Sequence, residues 1–449
     1  MLPKPFTKAT AVRARPHHIE AKPRRSTKKG KVRLLVLTRQ MLTQAVVPVD
    51  KGGGTDTFAH AFIDLADRMQ NLQLDIVALE PPARNLADTA KVRMHYFKAS
   101  RLHDLLWTFR EGRNPLANAV LLFAMAWAML RTALRLTRSH QYDAVYAIGG
   151  PIAGLAGIAL KTLAGLPLIM HFQYTYHFRS AAPAVRALAA AFYRRADALI
   201  GNCKMLGTDA TAIGMPASRC FAISNWVDQE VFRPLPDRPA KRAKWNVPAD
   251  ATAFFFGGRF CPTKHVDRLI DALHGLRTPG MVFLFAGEGV LEPELRRIAA
   301  ANPAIRLLGT RTRDDLVELH NACDVQFWGS VDVDYPGLVI MEAMSSGLPV
   351  VTSDETMNTL YPGEKIDPAM IGAPRYARLY PPTREGIRQA IRESVERRAE
   401  LLELRPEVRA FAQRRFGFAN ALQLLDVIAQ TAGCERPRAL ARATFSASQ

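Results

Sequence analysis

The strongest indication of chemistry in this sequence is a Gly257-Gly258-Arg259 run that is followed five residues later by Lys264. Glycine at the end of an apolar stretch lets the backbone approach a ligand closely. An arginine offers a planar fork to phosphate oxygens, and a lysine offers a point charge. A helix beginning near Lys264 would direct its N-terminal N–H groups into the same space. Gly258, Arg259 and Lys264 are therefore predicted to bind a diphosphate.

Two acidic residues further along the chain, Asp334 and Glu342, are separated by seven residues. Between them, Gly337-Leu338-Val339 is predicted to open an apolar helix whose first backbone N–H groups would point toward an anion. Glu342 would lie about one to two turns inside that helix, from where its carboxylate could reach a pair of ribose hydroxyls. Together the two segments predict a site for a nucleoside diphosphate.

Asp332-Val333-Asp334 has the form of an Asp-X-Asp motif, which can hold a divalent cation against a diphosphate. Its second aspartate is already the first acid of the spaced pair, and Arg259 and Lys264 supply positive charge, so no metal site is predicted. The five cysteines are scattered and contain no Cys-X-X-Cys pair. This pattern indicates free thiols in a reducing compartment and predicts a cytoplasmic protein.

The elements that must position these residues have the pattern of an α/β fold. Short apolar stretches alternate with helical periodicity, as in doubly wound parallel sheets that are buried on both faces. The predicted strands are residues 34–38, 74–79, 144–148, 168–172, 198–200, 220–223, 253–256, 281–286, 305–307, 325–328 and 349–352.

A Pro-rich polar segment at 233–252 divides the chain into halves of similar size, each with its own sheet. Two such domains facing each other would leave a cleft at the carboxyl ends of both sheets. We predict a basic disordered tail at 1–30, a first Rossmann-like domain at 31–235 and a second at 236–410. A helix within 411–449 is expected to cross back to the first domain.

Five stretches, in the expected order, resemble the retaining glycosyltransferases of family four, which have the GT-B fold. EAMSSGLPVV at 342–351 matches the end of the family's E-x7-E motif, with Asp334 as its first acid. The other matching stretches are GGRFCPTK at 257–264, Ala286-Gly287-Glu288-Gly289, LLGTRTRDDLVELHNACDV at 307–325, and the passage at 195–234 that closes the first domain. The resemblance implies two Rossmann-like domains facing a central cleft, the first for the acceptor and the second for the donor.

The resemblance further implies transfer of a sugar from a nucleotide diphosphate donor, UDP- or GDP-linked, to a hydroxyl acceptor. It implies retention of the anomeric configuration and no required cofactor. Carried over residue by residue, Arg259 and Lys264 bind the diphosphate, the amides of Gly337, Leu338 and Val339 meet phosphate, Glu342 binds the ribose, and Asp334 faces the transferred sugar.

The first domain supplies further candidates. The Gly52-Gly53-Gly54 loop resembles the family's loop beneath the donor phosphate, and a flexible turn is the alternative. Many members have a histidine after the strand that follows Gly-Leu-Pro. Here that position is Gln173, with His171 two residues earlier on the same face of the strand. The catalytic contact to the donor is left open between Gln173 and His171.

Two departures and one loop bear on specificity. Asp334 reaches about one carbon less far than the family's glutamate, and Tyr335-Pro336 replaces the usual Gly-aromatic pair. The sugar preference is therefore expected to differ at this point. The Gly309-Thr310-Arg311 loop is expected to border the base, with Arg311 as a candidate contact, but it does not choose between UDP and GDP.

The net charge of +19 is concentrated in the tail, since residues 1–33 hold eleven Lys or Arg and one acid. Such a tail could bind an anionic membrane leaflet or nucleic acid, or act only as a solubilising segment. Nucleic-acid binding predicts basic and aromatic residues that alternate on one face. The tail has a single aromatic residue, Phe6, so no nucleic-acid partner is expected.

The longest apolar run, residues 116–130, has 15 residues, fewer than the roughly 20 that cross a bilayer. We favour a helix buried on a sheet. The alternative is a helix at the membrane interface, because two tryptophans and a basic flank accompany the run: Trp107, Trp127, Arg131, Arg135 and Arg138. The acceptor is accordingly expected to be a lipid-linked saccharide at the cytoplasmic leaflet, in polysaccharide or glycolipid assembly, or else a soluble saccharide. A GT-B-like sugar-nucleotide epimerase or phosphorylase is the competing enzyme hypothesis.

Overall fold

The computed structural model describes residues 31–39, 54–80, 88–98, 115–172, 183–202, 210–276, 279–329, 337–355 and 367–440. Within these residues the chain forms two β-sheets, one of seven strands and one of six. Every pair of neighbouring strands runs parallel. The strands of the first sheet lie before the Pro-rich segment at 233–252, and those of the second lie almost wholly after it.

The first sheet has the strand order β3-β2-β1-β4-β5-β6-β7, so the order reverses between β1 and β4. Its strands are short and apolar, as expected for a sheet covered on both faces. They are β1 (Val32–Thr38), β2 (Leu72–Leu79), β3 (Val92–Phe97), β4 (Ala144–Ile148), β5 (Leu168–Phe172), β6 (Ala198–Gly201) and β7 (Cys220–Ala222).

The helices of the first half that the structure describes from end to end cover this sheet. They are α1 (Gly54–Arg68), α2 (Pro115–Ser139), α3 (Pro151–Ala164) and α4 (Pro183–Tyr193). Side chains that alternate along β1 show how they are arranged. Leu34 and Val36 pack in the cluster that contains α1, whereas Leu35 and Leu37 pack in the cluster that contains α2, α3 and α4. Each face of the sheet therefore has its own helical layer.

The second sheet has the order β10-β9-β8-β11-β12-β13. Its strands are β8 (Thr252–Gly257), β9 (Met281–Ala286), β10 (Ile305–Gly309), β11 (Val325–Trp328), β12 (Val350–Ser353) and β13 (Ala377–Tyr380). The helices of this half are α5 (Arg238–Lys244), α6 (Val266–Leu273), α7 (Glu292–Ala301), α8 (Arg313–Ala322), α9 (Leu338–Ser345), α10 (Arg384–Glu396), α11 (Arg398–Glu403) and α12 (Arg405–Arg415).

The last helix, α13 (Ala419–Ala432), returns to the first sheet. Its Leu424 and Ile428 are fully buried in the same cluster as Phe58 and Phe62 of α1. The chain therefore completes the first half of the molecule only after it has finished the second.

All eleven predicted strands are confirmed, within one or two residues at most of their ends. The two strands that the sequence did not predict, β3 and β13, form an outer edge of each sheet. The helix predicted to begin near Lys264 is confirmed, with its first residue two positions later. A 3-10 turn spans Pro262–Lys264, His265 adopts a left-handed conformation with φ of 52°, and α6 begins at Val266.

The apolar run 116–130 lies in the 25-residue helix α2. By length and composition, residues Val120–Ser139 of this helix could cross a bilayer, but a third of the most apolar window is buried inside the protein. Met129 and Ala133 are fully buried in the core of the first half. The prediction of a helix packed on the sheet is thus confirmed for its inner face.

Candidate active site

The Gly258–Arg259 loop lies where the second sheet is best suited to hold a ligand. Strand order reverses between the adjacent strands β8 and β11, and open α/β sheets bind ligands in the crevice beyond the carboxyl ends of the strands at such a point. Gly258 and Arg259 follow β8, and Gly329 follows β11. The predicted phosphate-binding residues therefore start from the edge of this crevice.

Two loops are joined closely beside the crevice by backbone hydrogen bonds. The N–H of Gly258 donates to the carbonyl of Ala286 (2.9 Å), and that of Phe260 donates to the carbonyl of Glu288 (2.8 Å). A Cβ on Gly287 would lie 2.0 Å from the Gly258 carbonyl oxygen. Only glycine fits there, which explains why Gly287 is part of the motif.

Lys264 ends the 3-10 turn, and its partly buried side chain lies over an aromatic ring. The Nζ atom is 5.4 Å from the centre of the Trp328 ring, which stacks on Phe256 at 5.0 Å. A Cβ on Gly329 would lie 1.9 Å from the Lys264 carbonyl oxygen. The backbone and the ammonium group of Lys264 are thus positioned by the end of β11.

Arg259 differs from Lys264 in that its side chain is exposed. Among the residues that the structure describes, no acidic side chain forms an ion pair with Arg259. Its guanidinium is therefore accessible to an anionic ligand at the mouth of the crevice.

Helix α9 brings the second predicted segment to the same region. Gly337 is its N-cap residue with φ of 74°, and no side chain caps the first turn. The N–H groups of Leu338 and Val339 consequently have no partner within the helix and can meet an anion. The left-handed backbone at Gly337 explains the glycine at this position.

Glu342 lies in the second turn of α9 and is only 8% exposed. Burial raises the pKa of its carboxyl group to about 8, although the positive charge of Arg313 acts in the opposite direction. Unliganded, this group is therefore largely protonated at neutral pH. Hydroxyl donors from a ligand would stabilise the ionised form.

The loop after β10 contains Thr310 and Arg311, which were predicted to border the base, and both side chains make contacts within the second half. Thr310 donates a hydrogen bond from its hydroxyl to the Glu288 carboxylate (2.6 Å). The guanidinium of Arg311 lies over the Trp245 ring, 5.7 Å from its centre, and donates to the Leu308 carbonyl. The Arg311 side chain is thus engaged within its own domain, which leaves Thr310 and the loop backbone as the better candidates to border a base.

His171 in β5 is buried, with 1% of its surface exposed. Its Nδ1 lies 2.5 Å from the Tyr146 hydroxyl, and its ring meets that of Phe58 edge-on at 4.5 Å. Burial lowers the pKa of His171 to about 3, so the ring is neutral. These contacts give His171 a packing role in the first half, and the predicted donor contact stays open between His171 and Gln173.

Several predicted residues lie outside the described residues: Gly52, Gly53, Gln173, Asp332, Asp334, Tyr335 and Pro336. Gly54 is the first residue of α1. No group of three or more metal-ligating side chains occurs in the part of the chain that the structure describes. The sequence missed Trp328, Gly329 and Arg313, which come close to the motif residues only in the folded protein.

Two parallel α/β sheets, the second with a crevice at the carboxyl ends of its strands, are the architecture of the GT-B fold. Solved structures agree. HepE from Anabaena, in complex with UDP and glucose, is 19% identical and has a TM-score of 0.64, covering 88% of this chain and 99% of its own. Sucrose-phosphate synthase from Thermosynechococcus elongatus is 16% identical and has a TM-score of 0.68 over 89% and 99%.

Two segments of the chain match sequence families of glycosyltransferases. Residues 237–361 match the family described as "Glycosyl transferases group 1", and residues 58–226 match the "Glycosyl transferase 4-like domain". The chain belongs to this GT4-like family of glycosyltransferases, whose members use nucleotide-sugar donors.

Named relatives agree with this assignment. A GDP-mannose-dependent alpha-mannosyltransferase of Mycobacterium tuberculosis is 28% identical over 57% of this chain and 67% of its own length. A D-inositol 3-phosphate glycosyltransferase of Saccharomonospora viridis is 37% identical over 29% of this chain. The match spans only 33% of that relative.

Proposed function

We propose that this enzyme transfers a hexosyl group from a UDP- or GDP-linked donor to the hydroxyl group of a saccharide acceptor, with retention of the anomeric configuration. The observation that carries the proposal is the crevice between β8 and β11. There Arg259, Lys264 and the uncapped first turn of α9 offer positive charge and N–H groups to one anion, and Glu342 lies one turn further along the helix.

The chemistry follows from where charge develops. As the bond between the sugar carbon C1 and the leaving phosphate oxygen breaks, negative charge grows on the diphosphate and is stabilised by Arg259, Lys264 and the α9 amides. The acceptor oxygen forms its bond to C1 on the face that the phosphate leaves. The acceptor proton passes to a leaving phosphate oxygen. These cationic and N–H groups supply the charge that a metal ion would otherwise supply, so we expect activity in the presence of EDTA.

The two candidate bases can be separated by binding. A donor that binds only the folded protein raises its stability by about 2.7 kcal/mol at a hundredfold excess over Kd. Thermal unfolding with UDP, GDP and their sugars should therefore show one clear base preference. The named mannosyltransferase and a HepE structure in complex with UDP-glucose favour testing GDP-mannose and UDP-glucose first.

The site assignment is tested by Lys264→Ala, with Lys244→Ala as the matched control. Lys244 is an exposed lysine of the same half that pairs with Glu318. We expect Lys264→Ala to lower the rate of donor consumption by at least about 100-fold, the usual loss for one group that stabilises a transition-state charge. The rate of the control should stay near that of the wild type.

Normal turnover in Lys264→Ala would contradict the site assignment. A product with inverted anomeric configuration, determined by NMR, would contradict retention. Nucleotide release that does not need an acceptor would instead favour an epimerase.

A further inference from the structure

One face of α2 carries an ordered stripe of exposed side chains. Val120, Phe123 and Trp127 are 42%, 62% and 65% exposed. They are followed by exposed arginines at 131, 135 and 138. Spacings of three or four residues place all six on one side of a helix. The stripe, called here the α2 outer face, is apolar in its N-terminal half and basic in its C-terminal half.

The opposite side of α2 is packed against the first sheet. Leu121, Met125 and Met129 are buried in the core cluster that also contains Leu79 and Phe97. A helix anchored in this way cannot cross a bilayer without losing that core. Only the outer face is available to a partner, so any contact with lipid must be at the membrane surface.

The charge of the α2 outer face identifies the kind of partner. Helix α2 contains no acidic residue, and no acidic side chain among the described residues pairs with Arg131, Arg135 or Arg138. An aromatic and aliphatic patch beside unpaired arginines complements a surface with an apolar layer under anionic groups. Residues 1–33 are also strongly basic, so like charge opposes their covering these arginines and would add to attraction by an anionic surface.

A second copy of the chain fits this face less well. Parallel pairing of two α2 helices would bring six arginines together. Antiparallel pairing would place the arginines of one copy against Phe123 and Trp127 of the other. Both arrangements bury arginines without an acidic counter-charge, which costs more than cation–π contacts with the aromatic rings return.

We propose that the α2 outer face docks the enzyme on an anionic lipid surface. Val120, Phe123 and Trp127 enter the interface, and the three arginines contact lipid phosphates. The stripe extends about 27 Å along the helix, and its apolar end enters more deeply than its basic end.

The position of α2 gives this docking a consequence for the acceptor. Ser139 is joined through four residues to the start of β4, so the basic end of α2 lies at the amino edge of the first sheet. Its apolar end therefore lies toward the carboxyl edge, which faces the cleft of the GT-B fold. Docking would bring the mouth of the cleft to the membrane, where a lipid-linked acceptor resides. This last step rests on the proposed function, whereas the docking itself does not.

The test is flotation of the full-length protein with phosphatidylcholine vesicles, with and without phosphatidylglycerol. We expect binding to the anionic vesicles that weakens as salt is raised. The double variant Phe123→Ser/Trp127→Ser should bind at least about tenfold more weakly. The triple variant Arg131→Gln/Arg135→Gln/Arg138→Gln should bind about a hundredfold more weakly at low salt.

Matched controls remove similar groups elsewhere. Val290→Ser removes another apolar side chain, which is 78% exposed, and Arg296→Gln/Arg297→Gln/Arg392→Gln removes three exposed arginines of the second half. Both controls should float like the wild type. Tryptophan fluorescence should shift to the blue with anionic vesicles in the wild type and not in Trp127→Phe. Thermal shifts with nucleotide should be the same in all variants, so failure of docking can be told apart from failure of the donor site.

Three results would overturn the proposal. One is equal flotation of the wild type and the α2 variants, which would assign membrane binding to another part of the basic chain. Another is absence of wild-type binding to anionic vesicles. The third is a dimer in light scattering that the Phe123→Ser/Trp127→Ser variant abolishes, which would assign the face to a second copy of the chain.

Discussion

Glu342 must satisfy two opposing requirements if it is to bind a ribose. It is buried, which stabilises its neutral form, yet it accepts two hydrogen bonds best when ionised. Burial raises its pKa to about 8. Below that pH the unliganded group carries a proton, and hydroxyl donors from the ribose must displace it on binding. Donor affinity attributable to Glu342 should therefore be high above pH 8 and fall as the pH decreases.

Glu342→Gln tests this directly. In titration calorimetry with the preferred donor, the wild-type Kd should rise by up to about tenfold per pH unit below pH 8. The variant should bind more weakly at pH 9 and lack this component. Other groups, including the nucleotide phosphates, titrate in both proteins, so the difference between the two profiles is the relevant quantity. Parallel profiles would remove Glu342 from the ribose site.

Some residues of the candidate site were predicted from the sequence and others were not. Arg259, Lys264, Gly337 and Glu342 could be named because each belongs to a local motif. Trp328 could not, because it lies beside Lys264 only after β11 pairs with β8. The buried state of His171 likewise depends on Phe58 and Tyr146, which come from other elements.

At the scale of elements, the donor crevice depends on close contact between loops from neighbouring strands. A Cβ at Gly329 would lie 1.9 Å from the Lys264 carbonyl oxygen, a distance that backbone atoms can relieve only by moving. Gly329→Ala should therefore displace Lys264 and weaken donor binding by tenfold or more, roughly 1.4 kcal/mol. Calorimetry with the donor measures the change.

Gly280→Ala serves as the control for this loop. Gly280 has φ of 70° and open space around it, so alanine there should lower stability by roughly 1 kcal/mol through backbone strain without moving the crevice. Its donor affinity should match the wild type. A Gly329→Ala protein that binds donor normally would show that the contact has no part in positioning Lys264.

An ion-pair cluster around Asp324, just after the end of α8, connects several elements of the second half and was not predicted from the sequence. Asp324 is completely buried and accepts hydrogen bonds from Arg238 (2.6 Å) and Arg242 (3.0 Å) and from the Ala253 N–H (2.7 Å). The same arginines donate to the Ala322 carbonyl at the end of α8. Asp324 thus joins α5, α8 and the start of β8.

Asp324→Asn should destabilise the protein strongly. The buried Arg242 and the partly buried Arg238 would lose their counter-charge, and such a loss amounts to about 3–5 kcal/mol. Asp426→Asn, which breaks an exposed pair with Arg436, should change stability by at most about 1 kcal/mol. Urea unfolding of the two variants measures the contrast, and equal midpoints would show that the cluster contributes little.

The strands that sequence reasoning found and missed differ in position and composition. Nine of the eleven predicted strands are inner strands of their sheets, and the edge strands β7 and β10 were found although most of their residues are partly exposed. Strand β3 has four of its six residues partly or fully exposed, and β13 has two of its four. Both are edge strands in which charged or polar residues, Arg93 and His95 in β3 and Arg378 in β13, interrupt the apolar run. The helix predicted near Lys264 starts at Val266, because a left-handed His265 separates it from the preceding 3-10 turn.

At the scale of the whole molecule, several contacts connect the two halves, among them hydrogen bonds from Gln229 to the Ala412 carbonyl (2.9 Å) and from Arg409 to the Phe232 carbonyl (2.8 Å). Arg313 at the start of α8 lies 3.4 Å from Asp64 of α1 and 3.8 Å from Asp228. These pairs are partly exposed and each contributes about 0–1 kcal/mol. Helix α13 contributes far more, because its buried side chains complete the core of the first half.

The stability of the first half should therefore depend on a helix that follows the second half in sequence. Leu424→Ala/Ile428→Ala removes two fully buried side chains, each worth about 2–5 kcal/mol, from the face that α13 shares with α1. Hydrogen exchange should accelerate in β4 and β5, which α13 contacts, and remain slow in β8 and β9. Gln423→Ala/Gln430→Ala changes two exposed positions of the same helix and should leave exchange unaltered.

Since the crevice lies in the second half, the Leu424→Ala/Ile428→Ala protein should still bind nucleotide while its first half opens. Equal acceleration in both sheets would instead show that the two halves unfold as a single unit, with α13 as part of one common core.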